Sequence, residues 1–229
     1  MHLVKYLAAG VLAVAGAVGF AGSAHAAPVP WSTPNGSTTD FDWVNGFSDN
    51  GLFGDPTVIG STFVFTPNSF KATSLNGVAA SVSDRLQFDL IIKNSKVLTN
   101  FTVNEIGDFQ ITGTGQVQAG GLLLLTNLNT GVPLASSLTT TPGSPMVGPT
   151  AGALQWSGFA SVTPLPANGW TKVRVVLNNI LDAASGPNST ATIEKKFASG
   201  AIEITFIIPE PASLSLVGLA GMLLIRRRK

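Results

Sequence analysis

Side chains able to do proton or metal chemistry are scarce in this 229-residue chain. Both histidines, His2 and His25, and the one tyrosine, Tyr6, fall within the first 26 residues, and there is no cysteine. From residue 27 onward none of the three types occurs. That removes Ser-His and Cys-His nucleophiles, histidine or thiolate zinc sites, and histidine acid/base work. Carboxylates remain. Glycoside hydrolysis needs two of them about 5–9.5 Å apart across a cleft, and the acids here are scattered without a distinctive pair. The residue inventory argues against an enzyme and leaves a carboxylate-dependent secreted hydrolase as the one enzymatic alternative.

The densest set of oxygen donors runs from Asp40 to Pro56, Asp-Phe-Asp-Trp-Val-Asn-Gly-Phe-Ser-Asp-Asn-Gly-Leu-Phe-Gly-Asp-Pro. Asp40, Asp42, Asp49 and Asp55 with interspersed glycines offer the hard oxygens that Ca2+ takes, although the spacing is not that of an EF-hand. The same residues suit Asx-turns, with Trp43, Phe47 and Phe53 plugging one end of a core. Both readings stand, and Ca2+ is the only cofactor the sequence raises. Trp31, Trp43, Trp156 and Trp170 offer a second chemistry, since an indole face is a platform for a sugar ring as well as a core group. Trp170, directly after Asn168-Gly169, is the one expected at the surface and is the candidate ligand contact.

Strands have to position these groups. Leu86, Phe88, Leu90 and Ile92 alternate with Arg85, Gln87, Asp89, Ile91 and Lys93, the period-two pattern of a half-buried strand. Thr62 to Thr66, Thr171 to Leu177 and Gly200 to Ile208 repeat the pattern. Turn signals lie between and around them at Asn45-Gly46, Asn50-Gly51, Asn76-Gly77, Gly113 to Gly115, Gly120-Gly121 and Asn168-Gly169. Leu122 to Leu125 is an unbroken apolar run, expected as a central strand packed on both faces, with a short core helix as the alternative. Thr139 to Thr150, with Pro142, Pro145 and Pro149, is expected as an exposed loop. No repeat of 20 to 50 residues is present, which excludes a solenoid or propeller. The expected fold is all-β: a single antiparallel β-sandwich, jelly-roll or Ig-like, over residues 27–206, with an N-terminal signal helix and a short C-terminal transmembrane helix.

The ends differ from the middle. Residues 1–26 have the three zones of a secretory leader: a polar head with His2 and Lys5, the apolar run Tyr6 to Phe20, and Ala24-His25-Ala26 where a signal peptidase reads small residues. Cleavage is expected between Ala26 and Ala27. At the other end Pro209 and Pro211 fix φ and withhold backbone donors, so a strand cannot run on through them. Ala212 to Ile225 is apolar and is followed by Arg226-Arg227-Arg228-Lys229. Its 14 residues make about 21 Å of helix against a hydrocarbon core of about 30 Å, a marginal span stopped by charge. With Lys5, Glu210 and the four terminal cations set aside, acids slightly outnumber bases, so the middle carries no electrostatic footprint for nucleic acid.

Pro209-Glu210-Pro211, a short apolar helix with Gly218 and Gly221, and a closing arginine cluster together resemble the PEP-CTERM sorting signal of Gram-negative bacteria, a tail also described as an ice-binding protein C-terminal domain. The resemblance covers residues 207–229. It implies that Pro209, Glu210 and Pro211 are recognised and processed by an exosortase-type membrane enzyme, with Arg226, Arg227, Arg228 and Lys229 as the cytoplasmic stop. It implies export across the inner membrane, transient anchoring by the C-terminal helix, then a place on the cell surface or outside it, alongside exopolysaccharide or biofilm matrix. The Asp40 to Pro56 stretch is similar to an N-terminal stretch of other chains with such tails. The expected function is a non-enzymatic structural or adhesive surface protein, with a carbohydrate-binding module as the alternative.

Overall fold

A computed structural model of the protein describes residues 27–67, 69–196 and 202–209. The expected leader, with Ala24 and Ala26, and the tail from Glu210 to Lys229 lie outside the described residues. The described strands are β1 (Val29–Pro30), β2 (Gly36–Ser37), β3 (Phe41–Ser48), β4 (Pro56–Ile59), β5 (Thr62–Phe65), β6 (Lys71–Leu75), β7 (Ala80–Ile92) and β8 (Asn100–Thr112). They continue with β9 (Gly115–Asn127), β10 (Pro133–Ser137), β11 (Thr139–Thr141), β12 (Met146–Val147), β13 (Leu154–Val162), β14 (Lys172–Ser185), β15 (Thr190–Lys195) and β16 (Ile202–Ile207). One 3-10 turn, Pro166–Asn168, is the only helical element among the described residues.

The strands form two antiparallel sheets. The first has the order β1-β3-β7-β14-β9-β10, with β2 added beside β3 and β12 beside β9. The second has the order β11-β13-β8-β16-β5-β4, with β15 between β8 and β6. The long strand β8 is lined on one side by β13, and on the other by β15 and β16 laid end to end. β15 pairs with residues 107–112 and β16 with residues 100–105. Each sheet buries one face because its side chains alternate. In β7 Leu86, Phe88 and Leu90 are fully buried as the alternation requires, and in β16 Ile202, Ile204 and Phe206 are. Where the sheets meet, Trp31, Phe41, Trp43, Phe63, Phe88 and Phe206 interlock. Phe41 stands edge-on to Phe206 at 4.7 Å, and Phe63 lies 4.8 Å from Phe88. Such pairs contribute about 0.5–1.5 kcal/mol each beyond the area they bury.

Several turn signals belong to other features. Asn76-Gly77 is a tight two-residue turn, with φ of 51° and 87° closing Leu75 onto Val78. Asn45-Gly46, expected as a turn, lies inside β3: Asn45 has φ 58° and the register slips between Val44 and Phe47, which makes it a bulge. Gly46 has no Cβ because one would meet the Trp31 ring at 2.1 Å. Gly120-Gly121 is likewise no turn but the middle of β9, where the strand runs beside β14 and a Cβ on Gly121 would meet the Asn179 amide oxygen at 2.3 Å. Leu122 to Leu125 is not packed on both faces. Leu123 and Leu125 are buried, but Leu122 is exposed and Leu124 half-buried, because alternate side chains of β9 point to the outer face of the sheet. The proline-rich stretch from Thr139 is a strap rather than a free loop: β11 joins one sheet, β12 the other, and the Ser144 hydroxyl donates to Ala119 O at 3.0 Å between them.

Candidate functional site

The four aspartates from the Asp40 to Pro56 stretch are not brought together. β3 carries Asp40 and Asp42 to one end and Asp49 to the other, and eight strand residues span about 26 Å. Asp40 is paired with Lys96 at 2.9 Å, Asp42 with Lys93 at 2.6 Å and Asp49 with Arg85 at 3.0 Å, while Asp55 accepts the Ser32 N–H at 2.7 Å. The Lys93 ammonium and the Ser37 hydroxyl hold the Asp42 carboxyl below its ordinary 3.8. Among the described residues no three acids group as a metal-holding set. The turn after β3 is instead organised by a carboxylate from another strand: Asp84 in β7, 4% exposed, accepts N–H groups of Asn50 at 2.8 Å and Leu52 at 2.7 Å.

Trp170 is not at the surface. It is fully buried, as is Trp156, and Trp31 and Trp43 are 3% and 9% exposed. The left-handed Gly169 (φ 59°) ends the 3-10 turn and folds the next residue inward, so the turn signal marks the bend and not an exposed ring. The most exposed aromatic ring among the described residues is Phe159 on β13, 49% exposed. Ala27 and Pro209 are both exposed, at the two limits of the described residues.

The concentrated chemistry lies between the sheets, at a place the residue inventory passed over. Glu105 of β8 is 1% exposed, Lys195 at the end of β15 is 5% exposed and Asn179 of β14 is 2% exposed. One oxygen of the Glu105 carboxyl, Oε2, accepts from the Lys195 ammonium; the other, Oε1, accepts from the Asn179 side-chain amide. The Asn179 amide oxygen has no hydrogen-bond partner, and nor does the indole N–H of Trp170 or of Trp31. The Lys195 Nζ stands 5.2 Å from the ring centres of both Phe70 and Trp156. Burial pushes the Lys195 pKa down from its ordinary 10.5, against the pull of Glu105.

Two glycines make room for this cluster. On β8 Gly107 sits between Lys195 of β15 and Trp156 of β13. A Cβ there would meet Glu194 O at 2.1 Å and Trp156 Nε1 at 2.4 Å, so its absence lets the indole reach across to donate to Glu194 O at 3.2 Å. On β9 Gly121 stands opposite Asn179 and leaves space for its amide. The signal for all three polar residues was present in the alternation. Glu105 lies in phase with buried Phe101, Val103 and Phe109, Asn179 with Val175, Leu177 and Leu181, and Lys195 with Ala191 and Ile193. A polar residue on the apolar phase of a strand is the informative exception.

A second polar feature lies on the outer face of the first sheet. Ser81, Asp182 and Gln118 stand side by side on β7, β14 and β9. With Gln116 and neighbouring alanines they bound an open hollow of about 230 Å³.

No protein-family model matches the chain, and no curated protein matches it. Among solved structures, a family 29 carbohydrate-binding module aligns over 77% of this chain and 89% of its own length, with 10% identity and a TM-score of 0.19. The enzymatically active domain of a bacteriophage tailspike protein aligns over 61% of this chain and 20% of its own, with 13% identity and a TM-score of 0.20. The subviral particle protein of infectious bursal disease virus aligns over 76% and 54%, with 12% identity and a TM-score of 0.20. Superpositions at this level carry no argument about function.

Proposed function

We propose that the chain is an exported, non-enzymatic surface or matrix protein that an exosortase-type enzyme sorts by its tail. The observation that carries this reading is where the last described strand ends. β16 stops at Ile207, and Pro209 is exposed two residues beyond it, so the Pro-Glu-Pro motif begins just past that strand. A processing enzyme reaches such a site without unfolding the domain. The architecture, two antiparallel sheets packed face to face, suits the reading. From β7 to β9 successive long strands change sheets, so that β7, β14 and β9 face β8 and β13 across the core. The test is the intact mass of the protein recovered from the envelope and from the medium of its native host. Loss of residues 1–26 with truncation near Pro209 is expected. A membrane species that keeps Arg226 to Lys229 would show a lasting anchor and defeat the sorting reading.

Retention of polysaccharide is a second reading, supported by the Ser81, Asp182 and Gln118 row, whose amide and carboxylate groups are of the kind that bond sugar hydroxyls. Buried Trp170 plays no part in it. Co-sedimentation with the host's own exopolysaccharide, weakened at least several-fold by Asp182→Ala together with Gln118→Ala, is its expected signature. Equal co-sedimentation of the variant would remove it.

A further inference from the structure

An ion pair sealed between two sheets is costly. Removing two charges from water sets several kcal/mol per ion against their attraction, and apolar replacements of similar volume are often no less stable. The Glu105–Lys195 pair therefore needs a reason beyond stability, and the third member of the cluster supplies one. Asn179 offers Lys195 a carboxamide across the gap between the sheets, with both groups bound to the two oxygens of one carboxyl. The amine of Lys195 is a nucleophile once a proton has left it, and the amide carbon of Asn179 is an electrophile. Phe70 and Trp156 wall the site, and little water can enter to hydrolyse what forms. We propose that Lys195 and Asn179 become joined by an intramolecular isopeptide bond, with Glu105 as the proton carrier.

The step balances within the cluster. The Lys195 ammonium passes a proton to Glu105 Oε2, and burial of Lys195 favours that transfer. Nζ then forms a bond to the Asn179 amide carbon, the bond from that carbon to Nδ2 breaks, and ammonia leaves. Of the three ammonium protons, one departs on the ammonia, one remains on the new amide nitrogen and one stays on Glu105. The carboxyl faces the nucleophile with Oε2 and the leaving nitrogen with Oε1, which is the placement a general acid and base needs. No oxidant or co-reactant is required. A buried ion pair is replaced by a neutral amide beside a neutral acid. In a chain without cysteine the bond would brace one sheet covalently to the other.

Peptide mapping of the full chain tests this independently of how its ends are processed. No lysine or arginine lies between Arg174 and Lys195, so trypsin should release residues 175–196 as one peptide. The expected peptide is lighter by one ammonia than its sequence, uncut after Lys195, and gives no backbone fragments between residues 179 and 195. Asn179→Asp should lose one water in place of ammonia, and Glu105→Ala should leave the peptide at its sequence mass. A wild-type peptide at sequence mass, cleaved normally after Lys195, overturns the proposal. So does an ammonia loss that persists in Lys195→Met, which would mark a succinimide at Asn179.

Discussion

Lys93 reaches three acceptors at once, the Asp42 carboxylate at 2.6 Å, the Ser37 hydroxyl at 2.7 Å and Thr38 O at 2.8 Å. One side chain thereby ties β2 and the start of β3 to the end of β7. Because the folded pKa of Asp42 lies below its unfolded value, the pair's contribution is present above the unfolded value and is lost as pH falls through the folded one. A carboxyl-carbon NMR titration should give Asp42 a midpoint below 3.8, and Lys93→Met should return it toward that value. An unchanged midpoint in the variant would assign the shift to something other than Lys93. Asp40, Asp49 and Asp55 are partnered in the same manner by Lys96, Arg85 and the Ser32 amide. The four aspartates of this stretch thus each hold a separate point of the fold.

Among the elements, the turn from Asn50 to Gly54 depends on a carboxylate it does not contain. Asp84 accepts from Asn50, Leu52 and its own neighbour Arg85, and the turn in turn lays Phe53 against Phe65 and Phe70. Asp84→Ala leaves those donors without their acceptor and is expected to cost about 1–3 kcal/mol, read by urea unfolding. Faster amide exchange at Asn50 and Leu52 should accompany it, and a loss of stability without that local change would point elsewhere. The strands themselves were legible, since β5, β14 and β16 follow their alternation and β7 departs from it only at Asp89, buried on the outer face beside Arg174. What alternation cannot tell is which neighbour a strand will meet. Gly120-Gly121 read as a turn because the chain's own neighbours do not disclose that β14 will pair beside them with Asn179. Trp170 read as exposed for a similar reason, since a left-handed glycine signals a bend but not the side to which the next ring is sent. The interior cluster was visible in part. The phase of Glu105, Asn179 and Lys195 put each inside, but their meeting needed the partition of strands between two sheets.

At the scale of the whole molecule, the order of strands in space departs furthest from their order in the chain at β16. It supplies hydrogen bonds to β8 on one side and to β5 on the other, and Phe206 joins the aromatic centre. A chain ending at residue 196 should fail to fold cooperatively, with near-ultraviolet circular dichroism lost and hydrophobic dye bound. A native-like spectrum from that truncation would show β16 to be an accessory. The consequence concerns time as well as space. A chain that emerges N-terminus first, from a ribosome or a translocation pore, delivers residues 202–207 after nearly all the rest. Until they arrive, β5 and β8 present open edges, and Phe41, Phe63 and Phe101 lack the Phe206 ring. Completion of the second sheet therefore waits on residues 202–207, which close β5 and β8 together.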